Sequence, residues 1–469
     1  MTPKTILHFA IGPIGAALLG FVSLPLTAWL FTQEDIGRIA MLTVTVQFVT
    51  LVFSLGLDQA YIREYHHYDD HNKLFKQCIT PGLTFLSFTL LILLSINPTL
   101  LSDLLFEEES LYLSLIVATC LLGAFISRFT TLIFRVQEKG LAFSLSNIAP
   151  KFLIILCLAG IWLFGLPSQF SLLLSSQGIA IVATTVVFVF MARATIAASW
   201  QATISADSIK SLLSYGLPLV MGNLAYWGLA ATDKLFLKEL SNFSELGLYA
   251  VATSFAMAAT LLKSIFSTLW APTVYKWAKD EKQLEKIAPI NQLVLFAVVI
   301  LAGLTGTFSF LVDFILPSTY SGLHYLVPLC MVAPLLYTLS ETTVIGINLT
   351  RKTHYSMAAS VLAFIANCLG NFFLIPLYGA TGAATSTALA FFIFLVLRTE
   401  FSIFTWQSMP RLQMYLLTSF IIVSAGLTAI AGQDIGWKVH ALWGMGTILF
   451  VLIKFSAIKL HLNTVLKKR

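Results

Sequence analysis

The stretch Asp35–Tyr65, DIGRIAMLTVTVQFVTLVFSLGLDQAYIREY, is the one to start from, because the chain says it twice. Moved along by 210 positions (245 − 35), it falls on Glu245–Tyr275, ELGLYAVATSFAMAATLLKSIFSTLWAPTVY. Gly37 then meets Gly247, Ala40 meets Ala250, Leu51 meets Leu261 and Tyr65 meets Tyr275, with an acid two places before each glycine. A second pair, Phe143-Ser144 and Tyr355-Ser356, each opening an apolar run, keeps nearly the same spacing, 212 (355 − 143). Two matches at one spacing point to duplicated halves, and internal symmetry of this kind marks secondary transporters, whose substrate sites lie between the repeats.

The residues between these marks decide the solvent. With 58% hydrophobic and 11% charged residues and a mean hydropathy of +0.86, the chain has too little polar surface for a water-soluble fold and reads as an all-α polytopic membrane protein. Its net charge of +6 is spread over short loops and forms no basic stripe, so nucleic acid is not an expected partner. Cys78, Cys120, Cys157, Cys330 and Cys368 sit in or beside apolar runs without CxxC spacing and read as small hydrophobes. The opening MTPKTILHF lacks a cleavage site after its apolar run, and Trp29 and Phe31 look like an interfacial anchor, so the segment is expected to span.

A crossing needs roughly 20 apolar residues, and about fourteen such runs are present. Among them are 211–232, 247–270, 356–375 and 381–398. Assigning loops alternately to two sides places Lys4, Arg63, Lys73, Lys76, Arg135, Lys139, Arg193, Lys210, Lys276, Lys279, Lys282, Lys286, Arg351, Lys352, Arg398, Arg411, Lys454, Lys459, Lys467, Lys468 and Arg469 together. The other side holds Arg38, Lys234, Lys238 and Lys438 with the acids Asp103, Glu107, Glu108 and Glu109. The basic side is expected to be the cytoplasm, with both termini inside.

Six crossings return the chain to its starting side, so the expected architecture is two six-helix lobes related by a parallel pseudo-two-fold repeat, 1–194 and 211–402. A cytoplasmic linker over 195–210 joins them, and 403–469 adds two helices and a basic tail. The link Ala194–Lys210, ATIAASWQATISADSIK, is the natural hinge between lobes. Pro13 and Pro25 in the first helix and Pro218 in the seventh mark places where a helix bends, either as a static kink or as a moving hinge.

Five charges remain inside the runs: Arg128, Lys151, Lys263, Asp58 and Glu341. Each costs on the order of 3 kcal/mol near mid-membrane, so none is expected to face lipid. All five fall in the cytoplasmic half by helix direction. Arg128 and Arg135, two turns apart on one helix face, form a cationic stripe suited to phosphate. Two readings stand side by side. Asp58 pairs with Arg128 and Glu341 with Lys263 as internal glue, or the cations line a wet cavity that meets an anionic substrate.

His66, His67 and His71 beside Asp69 and Asp70 read as a solvated loop cluster rather than a metal site. No GxxxxGK[ST], HExxH or GxSxG occurs, so no nucleotide hydrolysis or hydrolase chemistry is expected, and no cofactor.

The segment Gly56-Leu57-Asp58-Gln59-Ala60 followed by Arg63, together with Glu245-Leu246-Gly247-Leu248-Tyr249-Ala250, resembles the Wzx-type polysaccharide lipid flippases. These belong to the multidrug/oligosaccharidyl-lipid/polysaccharide exporter superfamily. The resemblance implies two six-helix lobes in a V around a central cationic cavity. It implies a transporter rather than an enzyme, in a bacterial inner membrane. The cargo would be an undecaprenyl-diphosphate-linked oligosaccharide, such as an O-antigen unit for lipopolysaccharide, carried to the periplasmic leaflet by alternating access. Arg128, Lys151, Lys263, Arg135 and Arg63 would receive the anionic headgroup, and a polysaccharide polymerase and a chain-length regulator would be partners. The alternatives are a lipid II flippase or a drug/cation antiporter of the same superfamily. A more distant one is a membrane glycosyltransferase or polymerase, for which Glu34-Asp35 is the sole external candidate.

Overall fold

The computed structural model describes residues 3–277 and 284–466. Lys279, Lys282, Lys467, Lys468 and Arg469 of the charge pattern lie outside the described residues. Every described element is helical, and eleven of the described helices are long and apolar enough to cross a membrane. The chain divides into two compact units, Met1–Trp227 and Gly228–Arg469.

In the first unit, α1 (Pro3–Leu30) lies along α7 (Gly140–Leu163). The contact is close because Gly12 and Gly15 carry no side chain: a Cβ on Gly12 would come within 2.7 Å of Ser144 Cα. Ser144 uses this proximity twice, accepting the Gly12 amide at 2.9 Å and donating to the His8 carbonyl. His8 and Gly12 are i,i+4 partners of α1, so the hydroxyl straddles the ladder one residue before Pro13. The carbonyl that Pro13 deprives of its helical donor is that of Phe9, four residues back; Ser144 braces the adjoining His8–Gly12 rung from a neighbouring helix.

The quoted stretch forms α2 (Gln33–Phe53) and α3 (Leu57–Glu64). Thr32 and Asp35 build a reciprocal capping box at the start of α2. Its acid is therefore occupied locally, with Oδ2 accepting from both the Thr32 amide and hydroxyl. The helix breaks where Leu55 (φ 53°) and Gly56 (φ 70°) turn left-handed. Gly56 there rests on Gly216, whose carbonyl oxygen would be 2.1 Å from any Cβ. The next helices are α4 (His71–Ile96), α5 (Leu100–Phe106), α6 (Leu111–Val136), α8 (Phe170–Met191) and α9 (Arg193–Gln201). Asp70 spends its carboxylate capping α4 through the Asn72 and Lys73 amides. Lys76 of α4 donates to the Trp200 and Ala202 carbonyls at the end of α9. The core gathers on α6, over half of whose apolar window (56%) is buried, around Tyr61, Phe125, Phe129 and Phe134.

Helix α10 (Ala206–Leu240) runs unbroken past Pro218, and the division between units falls within it. Asn242 caps α11 (Phe243–Phe255) through the Glu245 amide, and α12 (Met257–Trp277) follows a break at Ala256. The single run read over 247–270 is thus two helices. After α13 (Ile287–Phe308) and the short α14 (Val312–Ile315), α15 (Leu323–Thr343) is the central helix of the second unit, with 72% of its window buried.

Helix α16 (Ile345–Leu349) leads to α17 (His354–Thr405), which covers both the 356–375 and 381–398 runs. Its ladder is interrupted at Gly379 (φ 50°, ψ −126°). Glu245 Oε2 accepts the Ala380 amide there at 2.8 Å. Two further apolar helices, α18 (Leu412–Ile435) and α19 (Lys438–Leu466), complete the unit. The apolar window of α19 is 0% buried, yet Gly303 and Gly306 of α13 let Thr447 and Trp443 approach their backbone, a small-residue contact suited to lipid surroundings.

Gly56→Ala is expected to lower the melting temperature of the purified protein, since the left-handed backbone alone costs about 1–2 kcal/mol and the clash with Gly216 adds to it. Gly160→Ala, whose added methyl meets nothing within 4 Å, serves as the control and is expected to leave the melting temperature unchanged or raise it.

Candidate functional site: charges set among the helices

Asp58 begins α3, just past the left-handed break, and this turns its side chain onto α6. Arg128 donates to Asp58 Oδ2 through Nη2 at 2.6 Å and Nε at 3.2 Å, and Gln59 Nε2 adds a third donor at 3.1 Å. The acid side chain is 9% exposed and the arginine 43%. A buried carboxylate thus anchors an arginine whose side chain stays partly open, and a guanidinium so placed has forked donors left to offer an anion.

One turn further along α3, the Arg63 guanidinium lies 4.1 Å from the Tyr215 ring centroid, with Nε 3.4 Å from Glu64 Oε1. Arg135 and Lys151 are both exposed, and neither forms an ion pair among the described residues. The first unit therefore joins Asp58 with Arg128 and leaves the other sequence-predicted cations of α6 and α7 unpaired by acids.

The second unit departs from the expected pairing. Glu341 is taken by Arg398, whose Nη1 reaches Glu341 Oε1 at 2.9 Å and Ser340 Oγ at 2.7 Å. Lys263 is seated instead on an aromatic face, its Nζ 3.4 Å from the Tyr337 ring centroid. The physical reason lies in α17. It does not end near Arg398 but continues to Thr405. Arg398 is therefore an interior helical residue, 8% exposed, facing α15. A guanidinium forks toward carboxylate and hydroxyl together, which an ammonium does not do as well. Trp270 Nε1 donates to the Glu341 carbonyl at 3.1 Å and fixes α12 to the same turn.

Two further polar groups were not legible as site residues. Asp233 is buried in the second unit among Tyr249, which donates to it, and Thr387, whose hydroxyl is 3.3 Å away. Asn367 continues this network to Thr387 and Ser386. In the sequence Asp233-Lys234 looks like a charged loop end, and only the length of α10 places it inside a helix. Arg38, read as a loop cation, instead bridges Glu34 at 2.9 Å and Glu108 at 2.7 Å. Pro13, Pro25 and Pro218 all lie within continuous helices. Among the described residues, no group of three or more His, Cys, Asp or Glu side chains could hold a metal ion.

The whole chain is similar in fold to solved transporters. It aligns with a structure of the lipid II flippase MurJ in an inward closed conformation at a TM-score of 0.69 and 15% identity, over 96% of this chain and 99% of that one. It aligns with an inward-facing multidrug resistance MATE family transporter of the MOP superfamily at 0.56 and 14%, over 88% and 99%. These likenesses establish a shared fold. No curated protein sequence matches the chain significantly. The family profile described as polysaccharide biosynthesis protein matches residues 4–278. That is 275 of 469 residues (278 − 4 + 1), more than half of the chain, and it carries the quoted stretch in both of its copies. The chain belongs to the polysaccharide biosynthesis protein family and has the fold of the MOP superfamily transporters.

Proposed function

We propose that the protein is a flippase that carries a lipid-linked oligosaccharide, joined through a diphosphate to undecaprenol, from the cytoplasmic to the periplasmic leaflet of a bacterial inner membrane. The observation that carries this reading is the partly open Arg128, anchored by buried Asp58, in a chain of the polysaccharide biosynthesis family with the fold of the MOP superfamily transporters. A diphosphate diester bears about two negative charges, and an inside-negative potential favours their outward movement by roughly 2.3 kcal/mol per charge per 100 mV.

In this reading Arg128, Arg135, Lys151, Arg63 and Lys263 receive the headgroup, and Asp58 and Glu341 hold the arginines between cycles. The chain crosses the membrane about fourteen times with both termini inside, in lobes 1–194 and 211–402 joined by 195–210, with 403–469 appended. One observation favours the repeat and two favour the number of crossings. The caps Thr32 and Asn242 stand 210 residues apart (242 − 32). The long α17 breaks at Gly379 into two lengths that can each cross, and α10 is long enough to cross. Pro13, Pro25 and Pro218 serve as hinges. A polymerase and a chain-length regulator consume the delivered units.

In proteoliposomes loaded with a fluorescent undecaprenyl-diphosphate oligosaccharide, Arg128→Ala is expected to slow translocation about tenfold or more, as loss of an anchoring arginine does, with Arg128→Lys partly restored. Unchanged export by Arg128→Ala would sink the headgroup role, and transport of cationic dyes in its place would turn the reading to a drug antiporter. The paired variant Asp58→Asn with Arg128→Gln separates binding from glue. Its melting temperature is expected to recover relative to Arg128→Ala, because no buried charge is left alone, while translocation stays low. Recovery of both together would make the pair a purely structural brace.

A further inference from the structure

In the second unit the Tyr337 ring is a seat for two cations. Lys263 Nζ lies 3.4 Å from its centroid and the Arg398 guanidinium carbon 5.6 Å from it. Arg398 also lies 4.7 Å over Phe394, and the Phe394 ring stacks with Tyr337 at 5.8 Å. A ring quadrupole attracts a cation without cancelling its charge, so both groups keep their pull on an anion. With Glu341 counted, the three charged groups sum to +1 (two positive, one negative).

The guanidinium is half used. Both of its bonds, to Ser340 Oγ and Glu341 Oε1, go through Nη1. Its Nε is buried with no hydrogen-bond partner among the described residues. Arginine ordinarily meets a carboxylate or phosphate with two parallel N–H bonds. Here Glu341 takes a single nitrogen. At 15% exposure against 9% for Arg398, its side chain is the more open of the two.

We propose that Arg398, set beside Lys263 on the Tyr337 ring, is a phosphoryl-binding residue of the second unit, and that Glu341 is the internal anion which the phosphoryl group displaces. The inference rests on the flippase reading above and assigns a second-unit partner to its anionic headgroup. Glu341 balances the charge of the buried guanidinium between cycles. Displacing it hands the fork and the neighbouring ammonium to an incoming phosphate.

The test uses the full-length protein in a neutral detergent, titrated calorimetrically with inorganic pyrophosphate and with farnesyl diphosphate. Glu341→Gln removes the competing anion and is expected to tighten diphosphate binding roughly tenfold, an outcome that loss of a structural brace does not produce. Arg398→Gln is expected to weaken it about as much, with Arg398→Lys in between. Because Arg398→Gln strands Glu341, the double variant Glu341→Gln with Arg398→Gln is measured as well. It is expected to fold and to lose the gain of Glu341→Gln.

Unchanged or weaker binding by Glu341→Gln overturns the proposal, as does a double variant that binds as tightly as Glu341→Gln. If Arg128→Ala alone abolishes binding while these variants behave as wild type, Arg398 is excluded and the flippase reading stands. If the wild type binds neither diphosphate, that reading itself fails. Preference for farnesyl diphosphate over pyrophosphate assigns the site to a lipid headgroup, and the reverse to free phosphate.

Discussion

Hydrocarbon offers no hydrogen bonds, so every interruption of a helix in this chain has to find its partner within the protein. Three interruptions are met by side chains from other elements. Glu245 at the start of α11 takes the amide released at the Gly379 break. Ser402 of α17 accepts the Gly346 amide where α15 gives way to α16. Lys76 of α4 takes two carbonyls at the end of α9. Each device ties two helices together at the point where one of them would otherwise be weakest, so the breaks become joints rather than defects.

The same constraint sorts the charges. Asp58 and Arg398 are each buried, and each is met by a group of opposite sign on another helix. Their partners differ in exposure. Arg128 is the open member of its pair, whereas in the second unit the acid is the more open one. The first unit therefore presents a cation and the second a carboxylate in front of a cation. Buried pairs contribute little net stability but make loss of one partner costly, which suits positions whose task is to hold a charge in place.

The membrane class was legible, and so was the Asp58–Arg128 pairing as one of two readings, because a charge in an apolar run stands out and hydropathy reports crossings directly; the run boundaries were not, since 247–270 is two helices and 356–375 and 381–398 share α17. The ladder break at Ala256 was not legible, since no glycine or proline marks it and the apolar pattern runs through. Arg398 was hidden by its neighbours. Arg398-Thr399-Glu400 resembles a loop, and only the resumption of apolar residues at Phe401 hints that α17 goes on. Asp233 was hidden in the same way by Lys234. In both cases local charge density suggested solvent, while the true environment depended on how far a helix extends.

Ser144 gives α1 a property that its proline alone would not. Its hydroxyl accepts from the amide of Gly12 and donates to the carbonyl of His8, beside the Phe9 carbonyl that Pro13 leaves without its helical donor. A tilt of α1 at the proline therefore has to carry α7 along or give up both bonds, so the serine latches the weakened helix to its neighbour.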